Sequence, residues 1–292
     1  MNRNSQSQPQ LDFDRTRYLL NPSQLEHIHV TAVGLGSGGL PVCDLLTMAG
    51  VKNWHLYDDD ILEPVDLVKV RHSRRDLGKS KVQLEKEWIL DHNPQAQVQA
   101  YQERVEFSSH FHASLSQTNL VLMNVDSLPA REFINDACLK AQKPFVSGLV
   151  FRTGFGGEIF SYRPGRTGCY RCMTQFANQN NLVLTDDQVE LTSEEKERIY
   201  GLDDHQFRAS GLAMDISMIA TIHARVALSL LVEPFKTHIP PIQGNWIIFA
   251  NRPFQTIFHH HFESRFIQLA PQKGCLCTYL NSDGQEAHHD DK

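Results

Sequence analysis

The sequence predicts an α/β fold: a doubly wound, mostly parallel sheet with an antiparallel C-terminal extension and a four-cysteine knuckle. Three observations carry this expectation. Short apolar runs alternate with helix-like segments over about 120 residues, as in open parallel sheets. A glycine-rich turn, "VGLGSGGLP", joins the first apolar run to the first helix. Beyond residue 150 the alternation stops, and strand-like stretches surround one long apolar helix.

The elements follow in order. "HIHVTAVGLG" reads as a buried strand entering a turn. "GLPVCDLLTMAG" reads as a helix, with Pro41 in its first turn and Gly50 at its C-terminal end. "KNWHLYDDD" is the second strand, and "GKSKVQLEKEWILDHNP" is an amphipathic helix stopped at Asn93-Pro94. "AQVQAYQERV" is the third strand. "NLVLMNVDS" is the fourth, apolar on both faces as a central parallel strand is. "PAREFINDACLKAQ" is a helix and "KPFVSGLV" a fifth strand. "FGGEIFSYRPGRTGCYRC" reads as a strand and a tight loop. Residues 173–207 read as a long polar surface crossover. "ASGLAMDISMIATIHARVALSLLV" is a long apolar helix, and "GNWIIFANRPFQTIFHHHFESRFIQL" is two or three strands. We expect one domain over residues 12–280, a disordered lead-in at 1–11 and a disordered tail at 281–292.

Composition narrows the function classes. The 292 residues are 41% hydrophobic and 21% charged, with a net charge of -6. No basic excess points to nucleic acid or an anionic membrane surface. No apolar run is expected to approach the roughly 20 residues of a membrane span. "MNRNSQSQPQ" has no apolar signal core, so a cytoplasmic location is expected.

Gly34, Gly36 and Gly39 form G-x-G-x-x-G between a strand and a helix, where backbone N–H groups can approach phosphates. Asp58 follows 24 residues after Gly34, near the position of a ribose-binding acid. The plainer alternative is a tight turn without a ligand, and the motif alone does not choose the nucleotide.

Six cysteines are present. Cys43 and Cys138 stand singly in apolar helices and read as small buried hydrophobes. Cys169-x-x-Cys172 and Cys275-x-Cys277 are close pairs about 100 residues apart, able to join two distant segments around one tetrahedral Zn²⁺. Four thiolates leave no open position, so the site reads as structural; iron would suit the same donors. A redox role is disfavoured, because the first pair does not read as the N-terminus of a helix after a strand. His259, His260 and His261 lie in a strand-like run with no acid at useful spacing and read as ordinary surface or core histidines.

With these parts together, the chain resembles the ThiF/MoeB-like adenylyltransferases, whose Rossmann-like fold is shared by ubiquitin-activating enzymes. The resemblance runs from about residue 12 to 280. It rests on "VGLGSGGLP", "GVKNWHLYDDDIL", "DLGKSKV", "NPQAQV", "NLVLMNVDS", "PFVSGLVF", "GEIFSYRPGRTGCYRC" and "GCLC", in that order. It implies ATP-dependent adenylation of the C-terminal carboxylate of a ubiquitin-like or sulfur-carrier protein, or of a peptide, with release of pyrophosphate. It implies ATP, Mg²⁺ and Zn²⁺ as cofactors, and a homodimer. Gly34, Gly36 and Gly39 would approach the nucleotide. Asp58 would bind ribose, with Asp60 nearby. Lys81 would hold phosphate oxygens, and Asp126 would hold Mg²⁺. Arg17, or Arg15, matches an arginine that the family donates across its dimer interface.

Two departures matter. The family shows Asn-x-x-Arg after the acidic strand, where this chain has Asp66 and Lys69 in "DLVK". Lysine keeps the charge and loses the bidentate fork. Asp66 is expected to weaken ATP binding unless Mg²⁺ or a base among Arg71, Arg74 and Arg75 compensates. An offset of two residues would make Arg71 the phosphate arginine. In addition, no cysteine lies between Cys172 and Cys275, so adenylation without an enzyme thioester is expected. Two alternatives stand beside this reading. One is a non-catalytic module that binds a ubiquitin-like protein. The other is an NAD-dependent oxidoreductase, which explains the glycines and Asp58 but not Lys81, Asp126 or the cysteines.

Overall fold

The computed structural model describes residues 11–151, 154–180, 211–254 and 257–280. One eight-stranded sheet runs through it in the order β3-β2-β1-β4-β5-β6-β7-β8. The strands are β1 (His29–Val33), β2 (Asn53–Tyr57), β3 (Gln97–Tyr101), β4 (Leu120–Met123), β5 (Phe145–Val150), β6 (Gly156–Tyr162), β7 (Trp246–Ala250) and β8 (Glu263–Ile267). The first five pair in parallel. The pairings β5–β6, β6–β7 and β7–β8 are antiparallel. The predicted doubly wound sheet with an antiparallel extension is therefore what forms.

The helices are α1 (Gly39–Ala49), α2 (Lys81–His92), α3 (Phe111–Gln117), α4 (Leu128–Lys140), α5 (Tyr170–Gln179), α6 (Ala213–Val232) and α7 (Leu276–Leu280). Gly50 closes α1 in the left-handed region at φ 116°, its N–H meeting the carbonyls of Leu46 and Thr47. One core packs α1, α2 and α6 on one face of the sheet, through residues such as Leu46, Ile89 and Ala227. The other packs α3, α4, α5 and the cysteine segment on the opposite face, through Leu115, Ile134, Met173 and Cys277. Glycines let α6 approach the sheet. A Cβ on Gly157 would fall 2.9 Å from Ile219 Cγ1, and one on Gly148 would fall 2.4 Å from His223 Nδ1.

Several expectations need correction. Residues 173–179 are not surface crossover but the body of α5, with Met173 and Ala177 buried and Phe176 packed on the core. The spacing of those three residues is helical, and their apolar stripe outweighs the polar composition around them. The rest of the expected crossover, 181–207, lies outside the described residues, as do the lead-in before residue 11 and the tail 281–292. Cys169 is the N-cap of α5, so the first cysteine pair does sit at a helix N-terminus. α6 is 20 residues long with a mean hydropathy of 1.5, so one run does reach membrane-span length. It is instead a core helix packed on α1, β5 and β6. His259, His260 and His261 are exposed in the turn before β8 rather than within a strand.

Candidate functional site

At the carboxyl ends of the parallel strands the winding reverses between β1 and β4. Ligands of open α/β sheets gather at such a point. Here it opens into a cavity of about 790 Å³. The glycine turn after β1 forms one wall and splits its glycines by role. Gly34 has φ 88°, and a Cβ on it would lie 2.5 Å from the Asn124 carbonyl oxygen. A Cβ on Gly39 would lie 2.1 Å from the Gly34 carbonyl oxygen. These two glycines let the turn press against the end of β4. Gly36 and Gly38 have open space where a side chain would be, and both line the cavity. Gly39 does not line it, so among the expected nucleotide-facing glycines Gly38 takes its place. The N-cap of α1 is Gly38, which supplies no side-chain cap; the Leu40 N–H is taken by the Gly36 carbonyl at 3.0 Å and Pro41 has none, so the turn residues Gly36 and Gly38 line this wall rather than the first turn of the helix.

β2 delivers the acids. Asp58 Oδ2 accepts the Leu35 N–H at 2.6 Å, and Oδ1 accepts the Asp60 N–H at 2.9 Å. The carboxylate thus ties the glycine turn to its own loop. Burial pushes its pKa up to about 6, against the opposing effect of those two hydrogen bonds and of Lys81. Lys81 is the first residue of α2. Its Nζ donates to Asp60 Oδ2 at 2.9 Å and lies 3.8 Å from Asp66 Oδ2. Burial works against its charge, but Asp60, Asp58 and Asp66 outweigh burial and raise its pKa. Asp66 Oδ2 also accepts the Glu63 N–H at 2.9 Å. Asp66 therefore sits beside Lys81, whose charge offsets its own.

β4 delivers Asp126, exposed on the cavity wall between Val125 and Ser127. Sequence reasoning missed Arg131, three residues into the next helix. Its Nε donates to the Val125 carbonyl at 2.7 Å, and its guanidinium lies 6.0 Å from the centre of the Tyr170 ring. It fixes the loop that carries Asp126. A buried-face arginine in the first turn of α4 is the signal that was available. Asn124 and His223, also on the wall, were missed as well; nothing in their local pattern separates them from ordinary core positions.

The expected cations divide. Lys69 lines the cavity. Arg71 does not: its Nη2 lies 2.9 Å from Asp44 Oδ1 and 2.6 Å from Glu85 Oε2, and its guanidinium stacks 4.4 Å from the Trp88 ring centre. Two buried carboxylates hold it against α1 and α2, so the two-residue offset does not bring it to the phosphates. Arg17 is exposed, paired with Asp14 at 3.1 Å, and Arg15 is exposed too; neither lines the cavity of its own chain. Among the described residues, eight carboxylates line the cavity against four cations, Lys69, Lys81, Arg104 and Arg131.

The four cysteines meet on the face opposite α6. Cys169 Sγ lies 3.5 Å from Cys275 Sγ, and Cys172 Sγ lies 3.4 Å from Cys277 Sγ. Cys169 and Cys172 are 4.0 Å apart, and all four sulfurs lie within 4.8 Å of one another. A metal about 2.3 Å from each sulfur of a tetrahedron gives sulfur–sulfur edges of about 3.8 Å. The cluster fits such an ion. The Gln272 N–H donates to Cys172 Sγ at 3.3 Å, a contact that favours a thiolate there.

The model of the family described as "ThiF family" matches residues 10–270. The chain is similar to the adenylyltransferase and sulfurtransferase UBA4 of Meyerozyma guilliermondii, 31% identical over 92% of this chain and 56% of that protein. It is similar to ubiquitin-like modifier-activating enzyme 5 of Dictyostelium discoideum, 27% identical over 52% of this chain and 43% of that one. The chain thus spans about half the length of these curated relatives. The fold matches the crystal structure of E. coli MccB with ATP at a TM-score of 0.61 and 18% identity, covering 86% of this chain and 67% of that one.

Proposed function

The chain belongs to the ThiF family, and from that premise we propose that it is an ATP-dependent adenylyltransferase. Its substrate is the C-terminal carboxylate of a ubiquitin-like or sulfur-carrier protein, or of a peptide. The observation that carries this reading is convergence. The glycine turn, Asp58, Lys81 and Asp126 come from four separate elements and line one cavity at the point where the sheet reverses.

The chemistry asks little covalent work of the protein. A carboxylate oxygen attacks the α-phosphorus; that O–P bond forms while the bond to the bridging oxygen breaks, and pyrophosphate leaves with the electron pair. The protein aligns the groups and offsets charge. The backbone at Gly36 and Gly38 approaches the phosphates. Asp58, already fixed by Leu35 and Asp60, presents its remaining lone pairs to the ribose hydroxyls. Lys81 shifts from Asp60 toward a phosphate oxygen, and Lys69 supplies a point charge where relatives carry arginine. Asp126 offers the oxygen donor that suits Mg²⁺, which when bound supplies charge neutralisation at the phosphates. Zn²⁺ suits the cysteine cluster as a structural ion. Arg17 acts only if a second copy brings it across a dimer. With no cysteine between Cys172 and Cys275, the adenylate passes to an outside nucleophile rather than an enzyme thiol.

A second reading, a binding module without turnover, is favoured by the excess of carboxylates around the cavity. Exchange of labelled pyrophosphate into ATP separates the two. The assay is run with a panel of ubiquitin-like and sulfur-carrier proteins and with the same proteins amidated at the C-terminus. The adenylation reading expects exchange with at least one free carboxylate, none with its amide, and at least a hundredfold loss in Asp126→Ala. A folded protein that captures a panel member without any exchange supports the binding module and overturns adenylation.

A further inference from the structure

The adenylation chemistry uses the side of the cavity near β1, β2 and β4, and leaves another wall without a role. That wall is built by the end of β5 and one face of α6, from Gly148, Val150, Ile216, Ile219, Ala220 and His223. Among the described residues it is apolar but for the histidine. His223 is 1% exposed, and its Nε2 has no hydrogen-bond partner among the described residues. A buried polar atom left without a partner is rare and calls for an explanation.

The ring is fitted to its place. Gly148 makes room for it, since a Cβ there would fall 2.4 Å from Nδ1. Burial lowers its pKa to about 4, and the one opposing influence is a hydrogen bond to the backbone of Val146. The imidazole is therefore neutral at physiological pH and does not attract a carboxylate by charge. A ring N–H directed at the Val146 backbone leaves the unpartnered Nε2 as a lone-pair acceptor. Nε2 is closed to solvent, so an N–H or O–H reaches it only as the wall shifts around a ligand.

Its position in the sheet says what brings the donor. Asp58 ends β2 and the glycine turn follows β1, so the nucleoside and phosphates belong to that side. β5 lies three strands from β2, about 14 Å at the usual strand spacing. The wall therefore faces the acyl group rather than the nucleoside. A peptide whose last residue is not proline carries an amide N–H on the residue that bears the carboxylate. Resting on the adenylation reading, we infer that His223 is a specificity-determining residue, whose Nε2 accepts a hydrogen bond from the last peptide N–H of the acyl substrate.

Non-hydrolysable acyl-sulfamoyl adenosines test this by calorimetry. Two acyl groups are compared, acetylglycyl and acetylsarcosyl, which differ by replacement of that N–H with an N-methyl group. Wild-type protein is expected to bind the acetylglycyl compound about tenfold more tightly, the scale of one buried hydrogen bond. His223→Leu should bind the two alike, and His223→Gln, which retains an acceptor, should recover part of the preference. If unacylated sulfamoyl adenosine does not bind wild-type protein, the adenylation reading fails and this inference fails with it. If it binds, but wild-type protein does not distinguish the two acyl compounds, or His223→Leu keeps the preference, the role of His223 alone is overturned. The wild-type comparison stands whether or not the variants fold.

Discussion

Gly38 and Gly39 are neighbours in the chain with opposite duties. A Cβ on Gly39 would meet the backbone oxygen of Gly34 at 2.1 Å, and backbone cannot move aside cheaply. Gly39→Ala is therefore expected to destabilise the fold by about 3 kcal/mol or more, as strained or overpacked substitutions do. Gly38 meets nothing within 4 Å and has φ −85°, an ordinary backbone conformation. Gly38→Ala should change stability by less than about 1 kcal/mol while weakening MgATP, because its methyl group enters the cavity. Urea unfolding and nucleotide titration of both variants check the contrast; a stable Gly39→Ala would contradict it. The spacing G-x-G-x-x-G announces the turn but not which glycine faces the ligand, since that depends on how β4 packs beside it. Asp58 was singled out by its spacing from the glycines, and Lys81 and Asp126 through the family resemblance; all three stand at or just beyond the ends of elements and line the cavity. His223 was not, because a single histidine in an apolar helix has the same pattern whether it faces core or cavity.

At the scale of elements, the loop between β2 and α2 is fastened by Arg71, held between Asp44 of α1 and Glu85 of α2. Burial pushes Glu85 up to about 8, and the negative charge of Asp44 adds to this. Burial also pushes Asp44 up to about 6, with Arg71 opposing. Both values lie above the ordinary carboxyl range, so the folded state binds these protons more tightly than the unfolded chain. Their contribution to stability is full below the ordinary values and is lost as pH rises through about 6 to about 8. We expect the urea midpoint to fall across that window and Glu85→Gln, which cannot ionise, to flatten the fall. A wild-type midpoint that rises across the window would contradict this account. Sequence reasoning found the strands and the long helices, whose apolar periods are extended. It missed α3, which is only seven residues long, and α5, whose apolar stripe is interrupted by cysteine and polar neighbours. It gave Arg71 to the phosphates because spacing alone does not reveal two buried carboxylates waiting on other helices.

Across the whole molecule, one continuous sheet joins two regimes. The parallel half makes the cavity, and the antiparallel half carries the outer strands beside which the cysteine segment packs. The four sulfurs bring together segments 106 residues apart, which an unbridged chain would hold only at an entropic cost that grows with loop length. Tyr170, between two of those cysteines, touches Arg131, which in turn holds the loop of Asp126. The knuckle and the cavity are thus linked through a few side chains across α4 and α5. Alternation of strand and helix was enough to foresee the parallel half. The convergence of Asp58, Lys81 and Asp126 followed from topology, because strand ends that are distant in sequence become neighbours at the reversal between β1 and β4. The balance of eight carboxylates to four cations was not legible, since it depends on which side chains turn inward.

That balance makes the choice of ligand the central question, and calorimetric titration of the protein answers it most directly. MgATP and NADH are titrated separately into wild-type protein and into Asp126→Ala. MgATP is expected to bind the wild type, Asp126→Ala to weaken that binding at least tenfold without loss of fold, and NADH not to bind. Binding of NADH alone, or MgATP affinity untouched in Asp126→Ala, would contradict this.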